Sequence, residues 1–296
     1  MTSLSIRQKA QQYVVLTGMA LFIGLLVGAI DMIFGRGLLL IGDFRSQHWP
    51  LILFLALAGL VIVYLYKRFG GKASKGMGLI FDVGHAREEK IPLVLVPLIM
   101  LTTWMSHLFG GSVGREGVAV QIGATLSHRF ARYFQFPDAS RIFLMTGMAA
   151  GFAGLFQTPL AATFFALEVL TVGELQLIAL YPALIASIVA SFTSHALGLE
   201  KFAVPLKEML SWTPETLIKV AFLGLAFGLA GKLFAVSLSW LKKTVAKVLP
   251  NPYIRISVIG AGLSLVLLTL QLTKVGTYSG LGTNLIDVAF HQGSAQ

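Results

Sequence analysis

The chain has 296 residues, of which 56% are apolar and only 12% charged, and its mean hydropathy is +0.79. Soluble domains carry about 25% charged residues, so there is too little polar surface here to wrap a water-soluble globule, and a soluble enzyme is excluded. The net charge of +10 comes from 23 Lys and Arg against 13 Asp and Glu. These bases lie mainly between apolar runs, so they read as a topology signal and not as a nucleic-acid surface. Zero Cys removes disulfides, thiolate metal sites and Cys nucleophiles.

A helix crossing the hydrocarbon core needs about 20 largely apolar residues. Residues 13–34 qualify, with Asp31 as their only charge. Residues 51–66 are uncharged but short, and residues 91–109 are uncharged again. Residues 142–167 lack charge but contain Pro159, which predicts two shorter helices in place of one rod. Residues 175–199 tolerate Pro182 near their start, residues 220–241 carry only Lys232, and residues 256–272 close the set. The fold class is therefore all-α, a polytopic integral membrane protein. Arg7 and Lys9 precede the first span and Lys67, Arg68, Lys72 and Lys75 follow the second, while the loop between them holds only Arg36 and Arg45. That asymmetry puts the N-terminus in the cytoplasm. Gly24 and Gly28, then Gly147, Gly151 and Gly154, then Gly224, Gly228 and Gly231 recur at small-residue spacing, which predicts close helix packing in a bundle.

Three segments carry more than packing. In Gly110-Gly111-Ser112-Val113-Gly114-Arg115-Glu116-Gly117 a glycine-rich turn leads into the uncharged run 118–127. Unpaired N–H groups and the helix dipole make such a start an anion site. A carboxylate at membrane depth is expensive unless it faces a cavity. Glu116 has two readings. Either it caps the first turn with Arg115 as its ion-pair partner, or it competes with a permeating anion, seated when ionised and displaced when protonated. In Gly151 to Glu168, Pro159 suits a helix's first turn, with Gln157 and Thr158 as cap candidates. Glu168 reads as a carboxylate hydrogen-bonded at the helix end. Gly280-Leu281-Gly282-Thr283-Asn284-Leu285 is a further glycine turn, where Thr283 offers a hydroxyl and an ordinary N-cap remains open. His85 and His107 read as interfacial or packed, with no site role. The chain has no His-Glu-x-x-His and no Gly-x-Ser-x-Gly, so the usual enzyme constellations are missing.

Gly111 to Gly117, followed by Gln121-Ile122-Gly123, resembles the signature of the CLC chloride channels and transporters, in which the glutamate is the external gate. The stretch around Pro159 resembles the next motif of that family. The resemblance implies an inverted-repeat helical bundle and gives Glu116 the gating and proton-transfer role. It also implies anion contacts from Met77, Gly78, Gly114, Arg115, Gly117, Val118 and Thr283. CLC proteins usually carry Gly-Ser-Gly-Ile-Pro before the gate, its serine coordinating the inner anion. The matching place, 39 residues before Glu116, reads Lys75-Gly76-Met77-Gly78-Leu79. Met77 in place of that serine resembles the fluoride-exporting branch, although a flexible apolar plug would also suit Met. Val118 stands where a proline is usual. Val169 follows Glu168 where many chloride–proton exchangers have a second, proton-relaying carboxylate, and Thr283 stands where chloride-selective members have Phe.

The resemblance divides the chain into a cytoplasmic segment 1–12, a first repeat 13–200, a linker 201–216 and a second repeat 217–296. Only 13 residues follow Thr283, so the second repeat reads as truncated, leaving a polar half-site exposed to lipid. The expected partners are fluoride or chloride, protons, membrane lipid and a second copy in a homodimer, with no cofactor, metal or nucleic acid. The expected location is the inner membrane. Fluoride export by fluoride/proton antiport is the leading function, and a chloride/proton antiporter or voltage-gated chloride channel is the alternative.

Overall fold

The computed structural model describes residues 6–171, 173–200, 211–272, 279–282 and 285–286, and these contain helices and no strand. Helix α1 (Ile6–Gln47) is a single element of 42 residues. The expected span is only its middle, because no proline stops the helix and Arg36 and Arg45 lie within it, not in a loop. At 1.5 Å rise per residue it is ~60 Å long, roughly twice the hydrocarbon thickness. The chain then returns through a 3-10 turn (Trp49–Phe54), α2 (Leu55–Leu65), a π turn (Tyr66–Gly70), a second 3-10 turn (Gly71–Lys75) and α3 (Met77–Gly84). The short apolar run 51–66 thus belongs to a longer helical path, Trp49–Gly84, that is long and apolar enough to cross a membrane.

Next come α4 (Leu95–Leu108), α5 (Glu116–Ala131), α6 (Ala139–Phe156), α7 (Pro159–Glu168), α8 (Leu180–Ala196), α9 (Pro214–Val248) and α10 (Pro252–Leu272). The break at Pro159 falls where the ring predicts it, at the first residue of α7. Neither proposed cap is used. Thr158 makes no side-chain cap bond, and Gln157 adopts a left-handed φ of 53° and donates from Nε2 to the Leu199 carbonyl at 2.5 Å.

Small residues set the helix contacts in the first 200 residues. A Cβ on Gly123 would overlap the Gly147 carbonyl, and one on Gly151 would overlap the Ala119 carbonyl, so α5 and α6 touch backbone to backbone. Gly28 lets α1 approach α8, where a Cβ would fall 2.5 Å from the Ala190 oxygen. Around these contacts lies a buried core that includes Phe34, Leu79, Ile122, Leu144 and Leu167. Gly224, Gly228 and Gly231 behave differently from the packing expectation. A Cβ on any of them meets nothing within 4 Å, and α9 buries none of its residues. The glycine spacing is present, but no described helix lies against that face.

Candidate functional site

Glu116 is the first residue of α5. The first α5 bond of this start runs from the Ala119 N–H to the Arg115 carbonyl at 3.2 Å. The N–H groups of Gly117 and Val118 therefore precede the ladder and point free at the positive end of the helix dipole. Glu116 is exposed, and its side chain folds back over the turn: a Cβ on Gly114 would lie 2.7 Å from Glu116 Oε2. Glycine at 114 is what leaves room for that carboxylate. Arg115 does not pair with it. No ion pair joins the two among the described residues, and the Arg115 guanidinium lies 5.2 Å from the Phe156 ring centroid. The capping reading of Glu116 thus lacks its partner.

A second helix start sits close by. In α3 the first bond runs from the Leu79 N–H to the Gly76 carbonyl at 3.0 Å, so Met77 and Gly78 also keep unpaired N–H groups. Gly76 has φ 55°, a left-handed conformation that suits glycine and aims the chain into α3. Gln121 lies beside both starts. Its Nε2 donates to the Gly117 carbonyl at 2.8 Å, its buried Oε1 has no partner, and a Cβ on Gly76 would lie 3.5 Å from that oxygen. Outside the apolar region, Lys72 and Lys75 bridge to Glu88 at 2.6 and 3.2 Å, and Lys75 also bridges to Asp82 at 2.9 Å. These bonds pin the turn before Met77. The Lys72 bond, followed by the Lys75 bond, holds the Glu88 carboxyl below its ordinary value.

The glycine turn near residue 280 reaches the same neighbourhood. Ser112 Oγ donates to the Gly280 carbonyl at 2.9 Å, across 168 residues of sequence. Arg45 donates to Ser279 Oγ at 2.6 Å and to the Ser279 carbonyl at 3.2 Å. Arg45, His107 and residues 279–282 line a cavity of about 200 Å³. Gly280 and Gly282 have φ of 81° and 71°, and the Leu285 and Ile286 N–H groups both reach the Gly282 carbonyl, opening a helical turn. Thr283 and Asn284 lie outside the described residues.

The sequence-predicted residues Met77, Gly78, Gly114, Arg115, Glu116, Gly117 and Val118 thus fall at two neighbouring helix starts, and Gly280 is bonded to the loop before one of them. Glu168 differs from expectation. It is exposed at the end of α7 and makes no hydrogen bond among the described residues. Val169 is half-buried behind it. Sequence reasoning passed over Gln121, Ser112 and Arg45 as working residues. Gln121 had a signal, since it is the one polar side chain in residues 117–124 and lies a helical turn beyond Gly117. The other two had none, because their partners are remote in sequence.

Comparison with known proteins identifies the family. The family model described as voltage gated chloride channel matches residues 58–295. A chloride/fluoride channel protein of Pseudomonas syringae pv. tomato is 36% identical over 216 residues, spanning 73% of this chain and 48% of the relative. An H(+)/Cl(-) exchange transporter, ClcA, of Yersinia pestis bv. Antiqua is 26% identical, again over 73% of this chain and 48% of the relative. The chain therefore spans about half the length of these curated relatives. Among solved structures, a CLC-type fluoride/proton antiporter superimposes with a TM-score of 0.90 at 44% identity, covering 98% of this chain and 72% of that one. With two helix starts side by side at Gln121, a glycine turn docked on one of them and a family match over most of its length, this multi-pass membrane protein belongs to the voltage-gated chloride channel (CLC) family.

Proposed function

We propose that the protein exports fluoride across the inner membrane in exchange for protons, with Glu116 alternating between an ionised state that occupies the anion seat and a protonated state that vacates it. The observation carrying this reading is the pair of unpaired helix starts, Met77–Gly78 and Gly117–Val118, with the Glu116 carboxylate folded over Gly114 at the second of them. Fluoride is small and strongly hydrated, so its site must replace tight water contacts with fixed dipoles. Thr283, next in the chain after Gly282, is assigned a hydroxyl donor, and Arg115 a positive field near the seat. Residues 13–200 and 217–296 form the two repeats, joined by the linker 201–216. The protein works as a homodimer in lipid with its N-terminus in the cytoplasm. The chloride/proton antiporter and chloride channel readings are disfavoured by Met77, Val169 and Thr283, which remove a hydroxyl donor at the inner seat, a relay carboxylate and an aromatic side chain respectively.

The test is proton movement driven by a fluoride gradient in liposomes containing the full-length protein. Wild-type protein is expected to move protons against their gradient, and Glu116→Gln, which cannot ionise, is expected to stop that movement. Proton pumping that survives Glu116→Gln at the wild-type rate overturns the assignment.

A further inference from the structure

Asp31 is a charge-bearing side chain that the reading above leaves unused. It lies mid-way along α1 and is fully buried, the one acidic residue so buried among those described. Neither carboxyl oxygen has a hydrogen-bond partner. Its neighbour on α6 is Gly154: a Cβ there would overlap Asp31 Oδ2 and fall 3.2 Å from the Asp31 Cβ. The chain thus leaves out a side chain on α6 at the place where α1 brings in a carboxyl.

The depth of that carboxyl follows from helix register. Helices α5 and α6 run antiparallel, with Gly123 against Gly147 and Ala119 against Gly151. One further turn sets Glu116 level with Gly154, and the Arg115 guanidinium over the Phe156 ring agrees with that register. Helix α1 packs against both α5 and α6. Asp31 and Glu116 therefore stand at the same depth, on neighbouring helices.

An ionised carboxylate with two unpartnered oxygens inside the membrane region is costly. The neutral acid is therefore the resting form, and the ionised form is a short-lived state between proton transfers. The titratable groups on the helices packed against α1 are His107 on α4, Arg115, Glu116, His128 and Arg129 at the two ends of α5, Arg141 on α6, and Tyr181 and His195 on α8, and none of them bonds either Asp31 oxygen. Asp31 also contributes no structural bond of its own, so packing alone does not account for an acid here. We propose that Asp31 is a second proton-binding site of the exchange, holding a proton at the depth of Glu116 and passing it to that carboxylate when the anion leaves. This inference rests on the proposed role of Glu116. In each transfer the Asp31 O–H bond breaks and a Glu116 carboxylate oxygen takes the proton, and Asp31 is reprotonated by water on the external side, from which the exchanged protons enter.

The experiment measures the ratio of protons to fluoride moved in liposomes for wild-type protein, Asp31→Asn, Asp31→Glu and Glu116→Gln. Asn keeps the size and polarity of Asp but cannot carry the proton, so Asp31→Asn is expected to lower the ratio by roughly fivefold or more while fluoride still moves down its gradient. Asp31→Glu restores a titratable group and is expected to recover coupling, which a purely structural role would not predict. A wild-type ratio in Asp31→Asn, with Glu116→Gln uncoupled, overturns the Asp31 inference and leaves the Glu116 reading standing. Coupling that survives Glu116→Gln overturns both. Should the Asp31 variants fail to fold, infrared spectra of Glu116→Gln protein at neutral pH decide. A protonated-carboxyl stretch supports the inference, and its absence overturns it.

Discussion

At the scale of single residues, the proposed mechanism is a competition for unpaired backbone N–H groups, and it assigns Met77 the part of making that competition selective. Its own N–H is one of the free donors at the start of α3, while its side chain offers no strong donor and packs against the apolar core. A serine there would add a hydroxyl able to replace one water of a larger, more weakly hydrated anion. Met77→Ser is therefore expected to narrow the preference for fluoride over chloride by roughly tenfold, about 1.4 kcal/mol, read as the ratio of the two efflux rates from liposomes. Identical selectivity in the variant would remove Met77 from the selective step. This residue was legible in the sequence because it departs from a fixed pattern of glycines. Asp31 was visible as a lone charge in a span, but its burial was not, since the space it occupies is created by Gly154 on a helix more than a hundred residues away.

Among the elements, the contact between α5 and α6 decides whether Glu116 is held at its depth. Both helices expose backbone to each other at Gly123, Gly147 and Gly151, and the groups a new side chain would meet are carbonyl oxygens that cannot turn aside. Gly151→Ala is thus expected to wedge the helices apart and cost about 1–3 kcal/mol, lowering the thermal midpoint of the detergent-solubilised protein. Gly224→Ala on α9 serves as the internal comparison, because its Cβ meets nothing within 4 Å, and a midpoint no lower than wild type is expected. Equal losses in the two variants would mean that the glycine spacing carries no packing information. The same pair explains what the sequence could reveal about the helices. Periodic glycines announce that a face is suited to close approach, and Pro159 announces a helix start, because both are local properties of the chain. Which glycine face meets a partner depends on the arrangement of distant helices. For the same reason α1 outruns its apolar stretch: Arg36, Asp43 and Arg45 are poor lipid residues but acceptable helix formers, so hydropathy ends the span before the helix ends.

For the whole molecule, the arrangement of α1 to α4 gives the two membrane faces distinct chemistry. Helix α1 carries the chain from Ile6 to Gln47, and the path Trp49–Gly84 brings it back. Lys67, Arg68, Lys72 and Lys75 gather at the returning end with Arg87 and Lys90, whereas Arg45 at the far end of α1 is turned inward onto Ser279. Basic residues resist translocation when they lie in short connections, so we propose that the Lys-rich end, which also carries the turn before Met77, faces the cytoplasm. The start of α5 is bonded through Ser112 to the Gly280 turn, beside Arg45, and in this proposal it opens toward the opposite face. In that orientation a fluoride ion leaving Met77 for Glu116 moves outward, the direction that export requires, while the exchanged proton moves the other way. The natural absence of Cys makes this directly measurable, because one introduced thiol is the only thiol present. Glu89→Cys, in the exposed loop after α3, is expected to react with a membrane-impermeant maleimide in inverted vesicles and hardly at all in intact cells. Gln47→Cys, at the end of α1, is expected to show the reverse. The opposite pattern would invert the molecule in the membrane, and with it the side on which Met77 meets fluoride.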